Sequence, residues 1–575
     1  MTYREQYEKW LRSPALTDAE RAELAAIAGE DRDIRDRFYA PLAFGTAGLR
    51  GVLGMGINRM NLYTVRQATQ GLSSLIAGLG EKTRARGVAV CYDCRHKSPE
   101  FARAVAEVLA GNGIRVLLFD AMRPTPELSF AVRHYGCIAG VNITASHNPK
   151  EYNGYKAYWE DGAQLPPAEA DVVSREIGEV DVLIGAKTMP FDDAVKAGLI
   201  SFLGHETDEA FLSCALSQSV ARDEVERAAD TLKIVYTPFH GTGYKLVPEI
   251  LARIGLKNLL CDPVQSVPDP DFHTVKSPNP QDPEGFAGSI ALARENDVDL
   301  ILGTDPDADR IGVVVRDGAG EYKTITGNQT GCLLLDFLIR ARRERGTLPE
   351  NAAVVKTIVT TEMARAIAEQ NGVFCADTFT GFKFLAEQIG KFEADGSHKF
   401  ILAFEESYGY LVGDGARDKD AVTAAMLLVE MAAWYHNRGL TLCDALEGLY
   451  ERYGYYIDET VNLIFPGVDG LARMKALMDG LRENPPATIA GVQTLRVRDY
   501  LDGTIRNLGG EKQPMPLRDS NVLGFDMADG TRFLIRPSGT EPKIRAYILL
   551  HGADRDECAD RVNRYADEAR KLQNA

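Results

Sequence analysis

Short apolar runs rich in valine and isoleucine recur from residue 87 onward. Each ends in a polar loop and is followed by a helical stretch. The runs are 87–93 (GVAVCYD), 114–120 (IRVLLFD), 137–144 (CIAGVNIT), 232–238 (LKIVYTP), 298–305 (VDLILGTD), 353–360 (AVVKTIVT) and 399–406 (KFILAFEE). Unbroken apolar stretches of this length, bounded by turn residues, read as strands buried on both faces. Their alternation with helices predicts α/β layers. Residues 1–40 read as helices, with Thr17 and Glu20 spaced as a capping box ahead of Leu24 and Ile27. After about residue 456 the pattern changes to YYIDETVNLIF, a helical LARMKALMDGLREN, then TLRVRDY and RFLIRPSGTEPKIRAYILL. Strands gathered around two helices predict a small α+β domain there. Polar or proline-bearing stretches near 205–215, 322–328 and 455–460 mark the expected boundaries.

At 575 residues the chain is long enough for several cores. Lys and Arg number 65 against 82 Asp and Glu, a formal charge of −17, which argues against nucleic acid or an anionic membrane as the main partner. An anionic substrate would therefore need positive groups gathered locally. The nine cysteines are scattered and odd in number, so a reducing cytoplasm is expected. Cys91 and Cys94 form a CxxC, but no second pair or spaced histidines stand nearby to complete a zinc site. The start, MTYREQYEKWLRSP, lacks the pattern of a signal peptide, and no apolar run approaches the roughly 18 residues of a membrane span.

Four loops carry the candidate chemistry, and three of them directly follow predicted strands, where open α/β sheets bind ligands. The first, 144–149 (TASHNP), offers Ser146 as a nucleophile with His147 beside it, outside any GxSxG elbow. The second, 303–310 (GTDPDADR), spaces Asp305, Asp307 and Asp309 at alternate positions. Such bunched carboxylates repel unless a cation joins them, and hard oxygen donors suit Mg2+. The third, 404–410 (FEESYGY), presents Glu405 and Glu406, which can accept hydrogen bonds from hydroxyl groups such as those of a sugar. The fourth, 536–543 (RPSGTEPK), combines the Arg536 fork with Ser538, the Gly539 amide, Thr540 and Lys543 in an anion nest.

Together these loops resemble the α-D-phosphohexomutase superfamily and, within it, the phosphoglucomutases. The resemblance runs from about residue 40 to the C-terminus and includes the opening 44–51 (FGTAGLRG). It implies three consecutive α/β domains with mixed sheets plus a C-terminal α+β domain, with the active site in the central cleft. The expected parts are a helical extension over 1–40, domain I over 41–210 with a phosphoserine loop, domain II over 211–325 with a metal loop, domain III over 326–456 with a sugar loop, and domain IV over 457–575 with a phosphate loop.

By the same resemblance Ser146 carries the transferable phosphoryl group and, with Asp305, Asp307 and Asp309, holds one Mg2+. Arg50 and Arg310 lie near the reacting phosphate. Lys156 sits close to the phosphoserine and Lys383 matches a lysine assigned acid–base work; either is a candidate general base, with His147 a third. Glu405 and Ser407 hold sugar hydroxyls, and Arg536, Ser538, Gly539, Thr540 and Lys543 hold the distal phosphate. The implied activity is reversible interconversion of glucose 1-phosphate and glucose 6-phosphate through a phosphoserine enzyme, with glucose 1,6-bisphosphate as intermediate and activator. Phosphomannomutase, phosphopentomutase and sugar-bisphosphate synthase are the alternatives within the family, and a Mg2+-dependent phosphatase or an inert phosphosugar-binding protein lie outside it. Two departures stand out. Pro306 and Ala308 replace glycines common between the aspartates, and a requirement for positive φ at 306 would conflict with proline. Tyr408 replaces a phenylalanine common in glucose-specific members.

Overall fold

The protein is described by a computed structural model covering residues 1–45, 48–466, 469–538 and 543–573. The chain divides into two compact units, one of residues 1–326 and 408–441, the other of 327–407 and 442–575.

The first unit opens with three short helices, Tyr3–Leu11, Asp18–Ala26 and Asp31–Phe38. The second begins with the Thr17–Glu20 capping box expected from the sequence. Their apolar faces close on one another through Trp10, whose ring meets Phe38 and Tyr63 edge-on at 5.7 Å in both cases. Leu24 and Ile34 complete this small core. Each such fully buried side chain contributes on the order of 1.5–3 kcal/mol.

Two mixed sheets follow in this unit. The first contains β1 (Leu49–Val52), β2 (Val88–Tyr92), β3 (Val116–Phe119), β4 (Ala139–Ile143), β5 (Tyr152–Trp159) and β6 (Ile200–Leu203), in spatial order β1-β5-β4-β2-β3-β6. Its centre is parallel, whereas β5 runs antiparallel to both β1 and β4. The second contains β7 (Lys233–Thr237), β8 (Asn258–Cys261), β9 (Leu300–Thr304), β10 (Ile311–Arg316) and β11 (Tyr322–Ile325), in order β11-β10-β9-β7-β8. All of β4 and β9 is buried, which explains why both read as unbroken apolar runs. The segment 408–441, expected from the sequence in the third domain, packs in this first unit. Its helix Ala421–His436 is buried from Ala421 through Tyr435, and the Glu430 carboxylate accepts the amides of Val220 and Ala221 at 2.8 Å each.

In the second unit, β12 (Ala352–Thr357) pairs in parallel with β13 (Phe374–Thr378) and β14 (Lys399–Glu405). The C-terminal part forms an antiparallel sheet built on Tyr455–Ile464, Lys543–Gly552, Arg532–Pro537, Leu523–Met527 and Val492–Asp499 in that lateral order. The helices Gly470–Glu483 and Arg555–Leu572 belong to this part, as the α+β pattern requires. A core of Ile358, Val359, Tyr500, Leu534 and Tyr547 joins the two parts. The observed architecture is thus that of three α/β layers and an α+β C-terminal domain. Among the described residues no helix is long and apolar enough to cross a membrane.

Candidate functional site

Ser146 lies just beyond the carboxyl end of β4, with φ of 52° in the left-handed region that a serine adopts at a cost. Its amide donates to Thr144 Oγ1 at 2.8 Å. The loop is fixed from outside by Arg95, whose buried guanidinium donates to the carbonyls of Ser146 at 2.6 Å, Pro149 at 2.8 Å and Tyr152 at 3.0 Å, and to that of Asn148. Sequence reasoning passed over Arg95, because a backbone clamp can be built from any well-placed arginine and leaves no motif. Arg50 on β1 donates to Asn148 Oδ1 at 2.8 Å. The approach of β5 needs Gly154, since a Cβ there would sit 2.5 Å from the Thr144 carbonyl oxygen.

The three aspartates occupy the turn between β9 and β10, and all are buried. Asp305 organises the turn itself: its Oδ1 accepts the amides of Asp309 at 3.1 Å and Arg310 at 3.0 Å. Positive φ falls on Ala308, at 49°, and not on Pro306, so the proline is compatible with the turn. Pro306 instead packs against Gly241, where a Cβ would come within 2.3 Å of the proline Cα. Thr125 donates its hydroxyl to Asp307 Oδ2 at 2.7 Å.

Ser146 and the aspartates meet directly. Ser146 Oγ donates to Asp305 Oδ2 at 2.8 Å and lies 3.1 Å from His147 Nδ1. Lys156 on β5 bridges Asp307 Oδ2 at 2.6 Å and Asp309 Oδ2 at 3.1 Å. A second lysine, Lys419, reaches Asp309 Oδ2 at 3.2 Å and is itself held by Asp418 at 3.0 Å. Tyr158 donates to the other oxygen of Asp418 at 2.9 Å. Lys419 was missed in the sequence. The cue was the run Arg417-Asp418-Lys419-Asp420 ahead of an almost wholly apolar helix, where buried charges need a partner.

The electrostatics follow from this crowding. Burial, then the charges of Asp309 and Asp307, push the Asp305 carboxyl well above the usual carboxylate range. Burial acts the same way on Asp309 but is outweighed by Lys156, Lys419 and Arg310, which hold its carboxyl low. For Lys156 burial disfavours the ammonium, yet Asp307 and Asp309 raise its pKa above the ordinary lysine value. Burial, then Arg310 and Arg50, lower the His147 imidazole well below its usual value.

The donor set suits a cation. Among the described residues Oδ1 of Asp307 and Oδ1 of Asp309 are buried without a hydrogen-bond partner, the latter with Arg310 Nε at 3.8 Å, and ligand atoms from all three aspartates lie within 4.8 Å of one another. Orphaned carboxylate oxygens in a dry turn are costly unless a cation takes them.

The remaining candidates belong to the second unit, except that Tyr408 begins the returning segment of the first. Glu405 ends β14 and is buried. Its neighbour Glu406 accepts weakly from Thr360 at 3.3 Å and Thr357 at 3.4 Å. Burial and then Glu405 raise the Glu406 carboxyl, while Arg536 opposes them, so the sugar and phosphate loops meet electrostatically within this unit. Ser407 follows, partly exposed. Arg536 stands opposite Arg545 in the antiparallel pair Arg532–Pro537 and Lys543–Gly552. The Ser538 amide donates to the Lys543 carbonyl at 2.8 Å, closing the loop. Gly539 and Thr540 lie outside the described residues. Lys383 sits in the first turn of the helix Phe382–Asp395, its ammonium 4.7 Å from the Phe384 ring centre and its pKa lowered by burial.

Four models of known families match the chain. They are those of the phosphoglucomutase/phosphomannomutase alpha/beta/alpha domains I, II and III, over residues 41–182, 211–318 and 326–453, and of the C-terminal domain over 479–570. A phosphoglucomutase of Staphylococcus aureus (strain N315) is 35% identical over 542 residues, covering 93% of this chain and 94% of the relative. One from Staphylococcus saprophyticus is 36% identical over 521 residues, covering 90% and 92%. The fold is similar to the phosphoprotein pp63/parafusin of Paramecium in its open form, with a TM-score of 0.68, 18% identity and coverage of 93% and 96%. It is also similar to a phosphoglucomutase/phosphomannomutase family protein of Burkholderia thailandensis, with a TM-score of 0.65, 19% identity and coverage of 92% and 97%.

Proposed function

The chain belongs to the phosphoglucomutase/phosphomannomutase family, and from that premise we propose that it interconverts glucose 1-phosphate and glucose 6-phosphate, with Ser146 as the residue that lends and recovers the phosphoryl group. One observation carries this reading: a strained, buried serine whose Oγ lies 2.8 Å from one of three clustered aspartates, with Lys156 paired to the other two.

The sugar monophosphate enters with its phosphate on Arg536, Ser538, Gly539, Thr540 and Lys543, and its hydroxyls on Glu405 and Ser407. Its free hydroxyl oxygen attacks the phosphorus carried by Ser146. The new sugar O–P bond forms as the Ser146 Oγ–P bond breaks in line, the sugar hydroxyl gives up its proton, and Oγ gains one. Glucose 1,6-bisphosphate results and serves also as the activator that phosphorylates an empty serine. It reverses its orientation and returns the other phosphoryl group to Ser146. Storage on serine divides one difficult transfer into two.

Arg95 fixes the serine loop, so Oγ is positioned before substrate arrives. Arg50 and Arg310 face the phosphoryl oxygens, where charge spreads during transfer. Lys156 and Lys419 hold Asp307 and Asp309 in place. Lys383, whose ammonium is destabilised by burial, takes the hydroxyl proton. Asp305, Asp307, Asp309 and a phosphoserine oxygen would hold Mg2+, which when bound offsets charge on the transferred group. Tyr408 keeps a pentose phosphate in view as a second substrate class.

Intact-mass analysis with peptide mapping tests the premise, with about 80 Da of phosphate expected on Ser146. Glucose 1-phosphate, mannose 1-phosphate and ribose 1-phosphate are then compared as substrates. Glucose should give the highest kcat/KM, and Ser146→Ala should abolish interconversion. Undiminished turnover by Ser146→Ala would overturn the assignment. Release of inorganic phosphate at the rate of sugar consumption would make the protein a phosphatase instead.

A further inference from the structure

A second cluster of metal-ligating side chains lies in the first unit, in the loops that follow β7 and β8 and outside the aspartate turn. We propose that His240, Asp269 and His273 form a site for a late first-row divalent cation of the zinc class. Ligand atoms of the three residues lie within 4.8 Å of one another. The two imidazole rings stand 5.1 Å apart, tilted by 42°.

Each donor is prepared for this role. The His240 side chain is fully buried, and its Nδ1 donates to the Val267 carbonyl at 2.8 Å. That bond fixes the tautomer and leaves the lone pair on Nε2, the arrangement that orients metal-bound histidines. The Thr274 hydroxyl donates to Nε2 at 2.8 Å and accepts from Gln265 Nε2 at 3.1 Å. Thr274 is exposed, so its hydroxyl can turn aside or serve as a fourth oxygen. Asp269 accepts the amides of Asp271 at 3.0 Å and His273 at 3.2 Å, and its Oδ2 also pairs with His273 Nδ1.

Two imidazoles and one carboxylate favour zinc over Mg2+ or Ca2+, which take mainly oxygen. Donors around a tetrahedral zinc stand about 3.4 Å apart, so a small adjustment is needed, in which the hydrogen-bonded Asp269–His273 pair opens and the wider separations close. The exposed His273 side chain supplies it, at 62% exposure. The backbone also holds the site in an unusual shape, since Phe239 and His240 adopt φ of 42° and 63° in succession. This segment touches the serine loop. Ser277 Oγ donates to the His147 carbonyl at 3.1 Å, and Asp271 pairs with Lys150 at 3.2 Å. A cation here would therefore brace the loop that carries Ser146.

The test uses the full chain with D305N, D307N and D309N together, so that the aspartate turn cannot contribute. After dialysis against Zn2+ with Mg2+ in excess, elemental analysis should find one zinc that H273A and D269N each abolish. Cobalt(II) in place of zinc should give tetrahedral d–d bands without thiolate charge transfer, which excludes the cysteines as ligands. If the triple variant does not fold, H273A in the parent background should lower the zinc count by one. An unchanged zinc count in both H273A and D269N, or a thiolate signature, overturns the proposal.

Discussion

Replacing Lys156 by methionine removes the ammonium that bridges Asp307 and Asp309 while keeping most of the buried stem. The side chain is only 7% exposed, and its contacts are 2.6 and 3.1 Å, so solvent cannot take its place. Breaking a buried ion pair from one side costs about 3–5 kcal/mol, because the abandoned carboxylate stays dry. In a chelator the first unit should therefore melt roughly 6–10 °C lower than the parent, at about 2 °C per kcal/mol for a body of this size. Mg2+ changes the comparison. With Lys156 gone, Asp307 and Asp309 lose their shortest ammonium contact, leaving Lys419, Arg310 and Arg50 to act on this turn, so the variant binds the cation more tightly than the parent. By mass action, tighter binding returns stability to the variant in preference, closing the gap by on the order of 2–3 kcal/mol at saturating cation. Scanning calorimetry of both proteins, in chelator and in Mg2+, reads the gap directly. A gap of equal size in both buffers would refute the assignment of a cation to this turn, whatever the activity of the variant.

Two further outcomes concern the second unit. Asp458, on the strand Tyr455–Ile464, is raised by burial from its ordinary 3.8 to about 7, although Thr361, Lys356 and Asn328 all pull it down. Its native form binds the proton more tightly than the unfolded chain. Its contribution is thus complete below pH 4 and is lost as pH rises to 7, a loss of about 4 kcal/mol. Asp458→Asn should flatten that fall, so denaturant midpoints at pH 5 and pH 8 should converge in the variant; parallel profiles would contradict the burial argument. Arg536→Ala should lower kcat/KM for glucose 1-phosphate by about 10- to 100-fold, mainly through KM, because a spectator phosphate is bound equally in ground and transition states. A loss confined to kcat would place Arg536 at the reacting phosphate instead.

The seven apolar runs all became strands because sheets covered on both faces leave no polar alternation to confuse the reading. The strands without such runs were harder. β1, in the segment Leu49-Arg50-Gly51-Val52, and β11, with two exposed positions, lie on sheet edges where exposure breaks the pattern. The site was legible where chemistry demands a residue type at a fixed spacing, as with Ser146 and the three aspartates. It was illegible where a side chain acts on backbone or on another side chain. Arg95 grips carbonyls, and Lys419 neutralises Asp309 from a segment more than a hundred residues away in sequence. The return of 408–441 to the first unit left no trace either, because an apolar helix fits any core of matching shape.

The puzzle set by a chain of formal charge −17 has a local answer. Around Ser146 the buried acids Asp305, Asp307 and Asp309 are matched by Lys156, Lys419 and Arg310, with Arg50 also acting on Asp307 and Asp309. The unphosphorylated site is therefore balanced to within about one charge. Phosphate on serine adds close to two negative charges, and a divalent cation removes two. The pair enters a dry pocket almost without net charge, whereas either alone would leave a large imbalance at low dielectric. The same arithmetic explains why lysines rather than solvent stand behind the aspartates. On the proposed mechanism the site gains and loses a dianion in every turnover, and fixed positive groups keep its empty form folded while the phosphoryl group is away on the sugar.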